Sequence, residues 1–67
     1  MGLLFSIIIP VHNSEKYLSG SLKSALSQNY SKKKYEIIVV NDSSTDGSNK
    51  IINNFKKRFN NVKVINN

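Results

Sequence analysis

Sixty-seven residues with no cysteine make at most one small domain, with neither a disulfide nor a thiolate metal site to staple its core. A chain of this size buries only about 60% of the surface that its unfolded form exposes. The formal charge of +6 and the sequence pI near 9.9 admit a nucleic-acid partner. The cations, however, gather in Lys32-Lys33-Lys34 and Lys56-Lys57-Arg58, and no aromatic residue is interleaved in the first run to stack on bases. A solvated surface is the better reading of both runs.

Gly2 to Val11 is apolar apart from Ser6. It lacks a basic leader and a small-x-small cleavage site, and a membrane span needs about 18 apolar residues. It reads instead as a buried strand of a soluble protein, expected over residues 5–10. Pro10, which has no N–H to give to a ladder, should end it. His12, Asn13 and Ser14 form a loop, with Asn13 or Ser14 capping a helix that runs from Glu15 to about Gln28. Leu18, Leu22, Ala25 and Leu26 fall on one face of that helix, flanked by Tyr17. Gly20 weakens its middle by about 1 kcal/mol relative to Ala, so packing must hold it.

Residues 29–34 make a polar connection to a second strand over 35–40. Its run Ile37-Ile38-Val39-Val40 is of the kind buried on both faces of a parallel sheet. Ser44 or Thr45 is expected to cap a second helix whose apolar face is Ile51, Ile52, Phe55 and Phe59. Lys56, Lys57 and Arg58 complement the dipole at its end. Asn60-Asn61 stops it, and a third strand begins over 62–65. Tyr17, Tyr30 and Tyr35 read as packing residues.

This β-α-β-α-β order with short connections predicts an α/β fold with a parallel three-stranded sheet and right-handed crossovers. With the strands in the order 3-2-1, both helices cover one face. The other face, apolar as well, is then left open together with one edge of the first strand. Two arrangements satisfy that face: residues 1–67 as the beginning of a longer domain, and self-association.

Ligands of open α/β sheets sit outside the carboxyl ends of the strands. Two loops should meet there, Pro10-Val11-His12-Asn13-Ser14-Glu15 and Asn41-Asp42-Ser43-Ser44-Thr45-Asp46-Gly47. A nucleobase needs a ring to stack on and an acceptor for its ring N–H. His12 offers the ring. Asp42 offers the acceptor, and a carboxylate that follows four apolar strand residues has little structural reason to be there. The helix N-termini nearby favour anions, although neither the G-x-G-x-x-G fingerprint nor the Walker pattern is present. Asp46 reads as structural, offsetting the dipole of the second helix.

Taken together, Ser6-Ile7-Ile8-Ile9-Pro10-Val11-His12-Asn13-Ser14-Glu15-Lys16-Tyr17-Leu18, then Ser27-Gln28-Asn29-Tyr30, then Glu36 to Ser48 resemble the N-terminal part of a family 2 glycosyltransferase. In that family the first loop usually reads P-x-Y-N-x-E and the second D-D-G-S-T-D or N-D-G-S-T-D. The resemblance implies the first half of a nucleotide-sugar-binding Rossmann-like domain of the GT-A type. It implies a donor that is a UDP-sugar or another NDP-sugar, and a glycan, lipid or other acceptor. Asp42 would accept from the donor's base, His12 would stack on it, and Pro10 and Val11 would shape the same wall. Asn13, Glu15 and Ser43 belong to the same two motifs and would line the nucleotide end. Two residues depart from the pattern. His12 replaces the usual tyrosine with a smaller flat ring. Ser43 replaces the usual glycine, at about 1–2 kcal/mol if that position needs a positive φ.

The family's D-x-D motif, which holds Mg²⁺ or Mn²⁺ and the diphosphate, is absent from these residues, as is the base carboxylate of inverting members. The leaving diphosphate needs that metal to neutralise its developing charge. The resemblance therefore implies that residues 1–67 are an N-terminal fragment of a catalytic domain. Such a fragment binds the nucleoside end of the donor without transferring the sugar, in the cytoplasm or at the cytoplasmic face of a membrane, with no nucleic acid among its partners. Two other classes stand beside it: a small basic nucleic-acid-binding protein, for which only the net charge speaks, and a non-catalytic α/β dimerisation module.

Overall fold

β-branched residues crowd the preceding turn of a helix and pack well on a pleated surface, so the Ile and Val runs form strands. The computed structural model describes residues 5–27 and 30–67. Its elements are β1 (Phe5–Val11), α1 (Glu15–Leu26), β2 (Tyr35–Asn41), α2 (Ser48–Arg58) and β3 (Val62–Asn66). Helix α1 closes at Leu26 with Ser27 as its C-cap; the expected end at Gln28 lies outside the described residues.

The three strands are parallel in the order β1-β2-β3. The register pairs Phe5 with Tyr35 through to Val11 with Asn41, and Ile37 with Val62 through to Asn41 with Asn66. Pro10 does not end its strand, contrary to expectation. The Val11 carbonyl accepts from Asp42 on the β2 side at 2.8 Å. Alternation then points the Pro10 nitrogen at the free edge of β1, where a missing N–H removes no ladder bond.

Side chains alternate across a strand, and the odd-numbered set of β1 and β2, with the even-numbered set of β3, meets both helices. Val11, Tyr35, Ile37, Val39 and Val62 are buried with Leu18, Leu22, Ala25 and Leu26 of α1 and with Ile52 and Phe55 of α2. Tyr35 is fully buried, stacked on Phe5 with ring centroids 5.5 Å apart, and its hydroxyl donates to the Leu26 carbonyl at 3.3 Å. That bond satisfies one of the carbonyls that the end of α1 leaves free. Tyr30 is half exposed and meets Phe5 edge-on. Tyr17 departs from its expected packing role and is 74% exposed. It lies with Gly20, Ser21 and Ser24 along an open groove of about 820 Å³ beside the free edge of β1.

The opposite face, which carries the even-numbered residues of β1 and β2 and the odd-numbered ones of β3, has no cover among the described residues. Ile8 is 64% exposed and Ile65 50%, beside an exposed Pro10 and half-buried Ile38 and Val40. The apolar runs are thus buried on one face only, because two right-handed crossovers in one direction place both helices on the same side. At the amino end of this face Ser6 donates to Glu36 at 2.7 Å, and Lys63 lies 4.0 Å from Glu36. Of the basic clusters, Arg58 and Lys32 stand over the Phe59 ring at 5.6 and 5.9 Å. Part of the excess positive charge therefore rests on the protein's own aromatic surface. Among the described residues no helix is long and apolar enough to cross a membrane.

Candidate functional site

Parallel pairing in register brings the carboxyl ends of β1 and β2 side by side, Val11 opposite Asn41. The loops that follow, residues 12–14 and 42–47, meet there. His12 Nδ1 lies 2.6 Å from the Asp42 carbonyl oxygen. A carbonyl only accepts, so Nδ1 carries a proton and donates it to this bond. Asp42 is tied down through its backbone alone, its N–H to Val11 and its carbonyl to His12. Its exposed carboxylate takes no hydrogen bond among the described residues. Ring and acceptor thus stand together on adjacent strand ends.

The other candidate residues divide by where their side chains go. Pro10 is exposed at the edge of β1. Val11 turns inward and is 2% exposed, so its side chain supports that wall from the core and does not line it. Asn13 holds a left-handed backbone with φ 48. Its N–H donates to Ser44 Oγ at 3.1 Å, and its Oδ1 accepts from the Thr45 N–H at 2.8 Å. The Glu15 carboxylate accepts from the Gly47 N–H at 3.2 Å. Asn13 and Glu15 therefore reach across to the second loop. Ser43 is also left-handed, with φ 52, and its hydroxyl donates to the Asn67 carbonyl at 3.1 Å.

A serine in that region costs about 1–2 kcal/mol relative to a glycine, and the hydroxyl bond returns about 0.5–1.5 kcal/mol. Ser43→Gly is accordingly expected to change stability by between about −0.5 and +1.5 kcal/mol, a small net gain at the centre of the range. Urea unfolding checks this, and a clear loss would mean that the bond to Asn67 outweighs the strain.

The caps differ in part from expectation. Ser14 is the N-cap of α1, but its hydroxyl donates to the His12 carbonyl and accepts no N–H of the helix. Helix α2 starts three residues after Thr45, at Ser48, with Gly47 as its N-cap. Ser44 and Thr45 cannot cap it, because they are engaged with Asn13. Asp46 supplies the acceptor, taking the Ser48 N–H at 2.9 Å, the short-range turn that Asp favours. Hydrogen bonding to Ser48, side chain first and backbone after it, together with the Glu15 backbone, lowers the Asp46 pKa below its ordinary value. The stability this lends is present above the ordinary carboxylate range and is lost as pH falls through the lowered pKa.

Asn41, the last residue of β2, was not singled out by its sequence position. It is buried, and its amide donates to Asn66 at 3.1 Å and to Asn49, joining β2, β3 and α2 behind the cleft. An asparagine closing an apolar strand was the available signal.

Among the described residues no three His, Asp or Glu side chains gather to hold a metal ion. Glu15 and Asp46 are engaged with backbone N–H groups, and Asp42 stands without a second carboxylate beside it. These residues do not fit the divalent cation that the resemblance implies.

A family model described as Glycosyl transferase family 2 matches residues 6–67. The poly(ribitol-phosphate) beta-glucosyltransferase of Bacillus spizizenii is 52% identical over 60 residues, covering 90% of this chain and 10% of that protein. The minor teichoic acid biosynthesis protein GgaA of Bacillus subtilis is 44% identical over 64 residues, covering 92% of this chain and 14% of that protein. Among solved structures, S. aureus TarS 1–349 in complex with UDP-GlcNAc matches with a TM-score of 0.84 at 38% identity. That match covers 94% of this chain and 18% of the TarS chain. The chain therefore spans less than a fifth of the length of each of these relatives.

Proposed function

This chain belongs to glycosyl transferase family 2, and from that premise we propose that its paired loops receive the nucleoside end of a UDP-sugar donor. One observation carries the reading: the His12 ring and the free Asp42 carboxylate share the end of two adjacent strands, joined through the Asp42 carbonyl at 2.6 Å. A uracil stacked on the imidazole can donate its ring N–H to that carboxylate, a charge-assisted bond. The UDP-GlcNAc named with the TarS structure supports uracil as the base. The names of the relatives support a poly(ribitol-phosphate) polymer among the glycan and lipid acceptors. In this reading residues 1–67 form part of a longer catalytic domain in the cytoplasm or at the cytoplasmic face of a membrane. They hold and orient the donor. Diphosphate, divalent cation and the base for the acceptor hydroxyl belong to residues outside these 67.

Calorimetric titration with UDP and with a short DNA duplex, each at two salt concentrations, tests the reading. Lys32→Gln, Lys33→Gln and Lys34→Gln together should leave UDP binding nearly untouched, because that exposed run precedes β2, at the end of the sheet opposite the cleft. A nucleic-acid-binding protein would behave in reverse, ignoring UDP and losing a strongly salt-dependent duplex affinity with those lysines.

The uncovered sheet face supports a further expectation for the chain taken alone: it self-associates through Ile8, Ile38, Val40 and Ile65. Sedimentation should show a concentration-dependent mass. A monomer that unfolds cooperatively in urea and binds no apolar dye would remove this expectation.

A further inference from the structure

Two helix N-termini set side by side would ordinarily be seats for anions. Here the protein's own carboxylates have taken both. Asp46 spans the pair: one oxygen accepts the N–H of Glu15, the first residue of α1, at 3.2 Å, and the other accepts the N–H of Ser48, the first residue of α2, at 2.9 Å. Glu15 reaches back in the opposite direction, its carboxylate accepting the Gly47 N–H at 3.2 Å.

Gly47 has an ordinary φ of −73, so conformational freedom does not explain a glycine there. Room does. A Cβ at this position would stand 2.8 Å from Glu15 Cδ and nearer still to Glu15 Oε2. Between these contacts lie the bonds from Asn13 to Ser44 and Thr45, and from the Ser14 N–H to Ser48 Oγ at 3.0 Å. Each residue from His12 to Glu15 is thereby bonded to the second loop or to the start of α2. Beside the cleft Asn13 and Ser43 keep left-handed backbones, which persist only where the surroundings over-determine them.

We propose that Asp46 and Glu15 are positioning residues, a reciprocal carboxylate clamp that locks the first loop to the second and so sets His12 against Asp42. A diphosphate brought to either helix N-terminus meets a carboxylate already there, so the donor's phosphates lie away from both helices. This consequence for the donor rests on the nucleotide-binding reading; the clamp does not.

His12 is the sole histidine of the chain, so the ¹⁵N resonances of its imidazole report this contact without ambiguity. In alkaline solution, with the ring neutral, the wild-type chain should show the Nδ1–H tautomer as the dominant form. Asp46→Ala should turn it into the minor form while the β2 amides of Ile37 and Val39 stay protected from hydrogen exchange. UDP affinity should fall about tenfold, equivalent to about 1.4 kcal/mol. Asp46→Asn, which keeps one acceptor oxygen, should fall between. A folded Asp46→Ala chain that retains the Nδ1–H tautomer overturns the clamp, as does a wild type that never shows it. If Asp46→Ala does not fold, Gly47→Ala displaces the Glu15 carboxylate alone, and an unshifted ring in that variant overturns the clamp as well. A wild type with the stated tautomer and no affinity for UDP sinks the nucleotide reading and leaves the clamp standing.

Discussion

Asp42→Ala is expected to weaken UDP binding by about 1.5–3 kcal/mol, the range for a hydrogen bond to a charged group, or roughly 10- to 150-fold in Kd. The size follows from how the residue is held. Its N–H donates to Val11 and its carbonyl accepts from His12, and alanine keeps both backbone bonds. The loop should therefore stay in place, and the loss reports the carboxylate alone. His12→Ala is expected to cost less, at the low end of the about 1–3 kcal/mol that stacking on a base contributes, because an imidazole offers little area. Calorimetry on both variants checks the order. A Kd for Asp42→Ala equal to that of the wild type would remove Asp42 from the donor site.

Leu22→Ala is the largest stability effect expected in the chain. Leu22 is fully buried between the sheet and its neighbours on α1, and Leu→Ala at such sites costs about 2.7–5 kcal/mol through lost transfer energy and the cavity left behind. Whole domains are stable by only about 5–15 kcal/mol, and this chain has an uncovered face besides. The variant should be largely unfolded by circular dichroism under conditions where the wild type is folded. Ile8→Ala makes the control: Ile8 is 64% exposed on the open face, so its truncation should change stability little. Equal losses at the two positions would mean that the helices do not cover the sheet face that carries Ile37, Val39 and Val62.

Element type and order were legible in the sequence because they rest on local properties. The run Ile37-Ile38-Val39-Val40 can satisfy only a strand. Leu18, Leu22, Ala25 and Leu26 recur at helical spacing and all four are buried. The open face was legible too, since the handedness of parallel crossovers is general. His12 and Asp42 were reached through a motif resemblance; spacing alone would not have found them.

What the sequence could not disclose depends on register and on side-chain parity. Asn13 meets Ser44 and Thr45, Ser14 meets Ser48, and Glu15 meets Asp46 and Gly47, contacts 31 to 34 positions apart. They exist because Val11 pairs with Asn41, and no local pattern states that pairing. A slip of one residue would put every strand side chain on the other face. Val11 would then line the cleft, as the sequence alone led one to expect, where the folded chain buries it at 2% exposure. The same dependence moved the start of α2 from Ser44 or Thr45 to Gly47, with Asp46 as the acceptor, since the two hydroxyl residues are drawn to Asn13 only once the loops lie side by side. Local chemistry thus chose the strands, the helices and the charge at position 42. Whether a given carboxylate faces a ligand or closes a helix was decided by which backbone N–H groups the parallel pairing brought within about 3 Å of it.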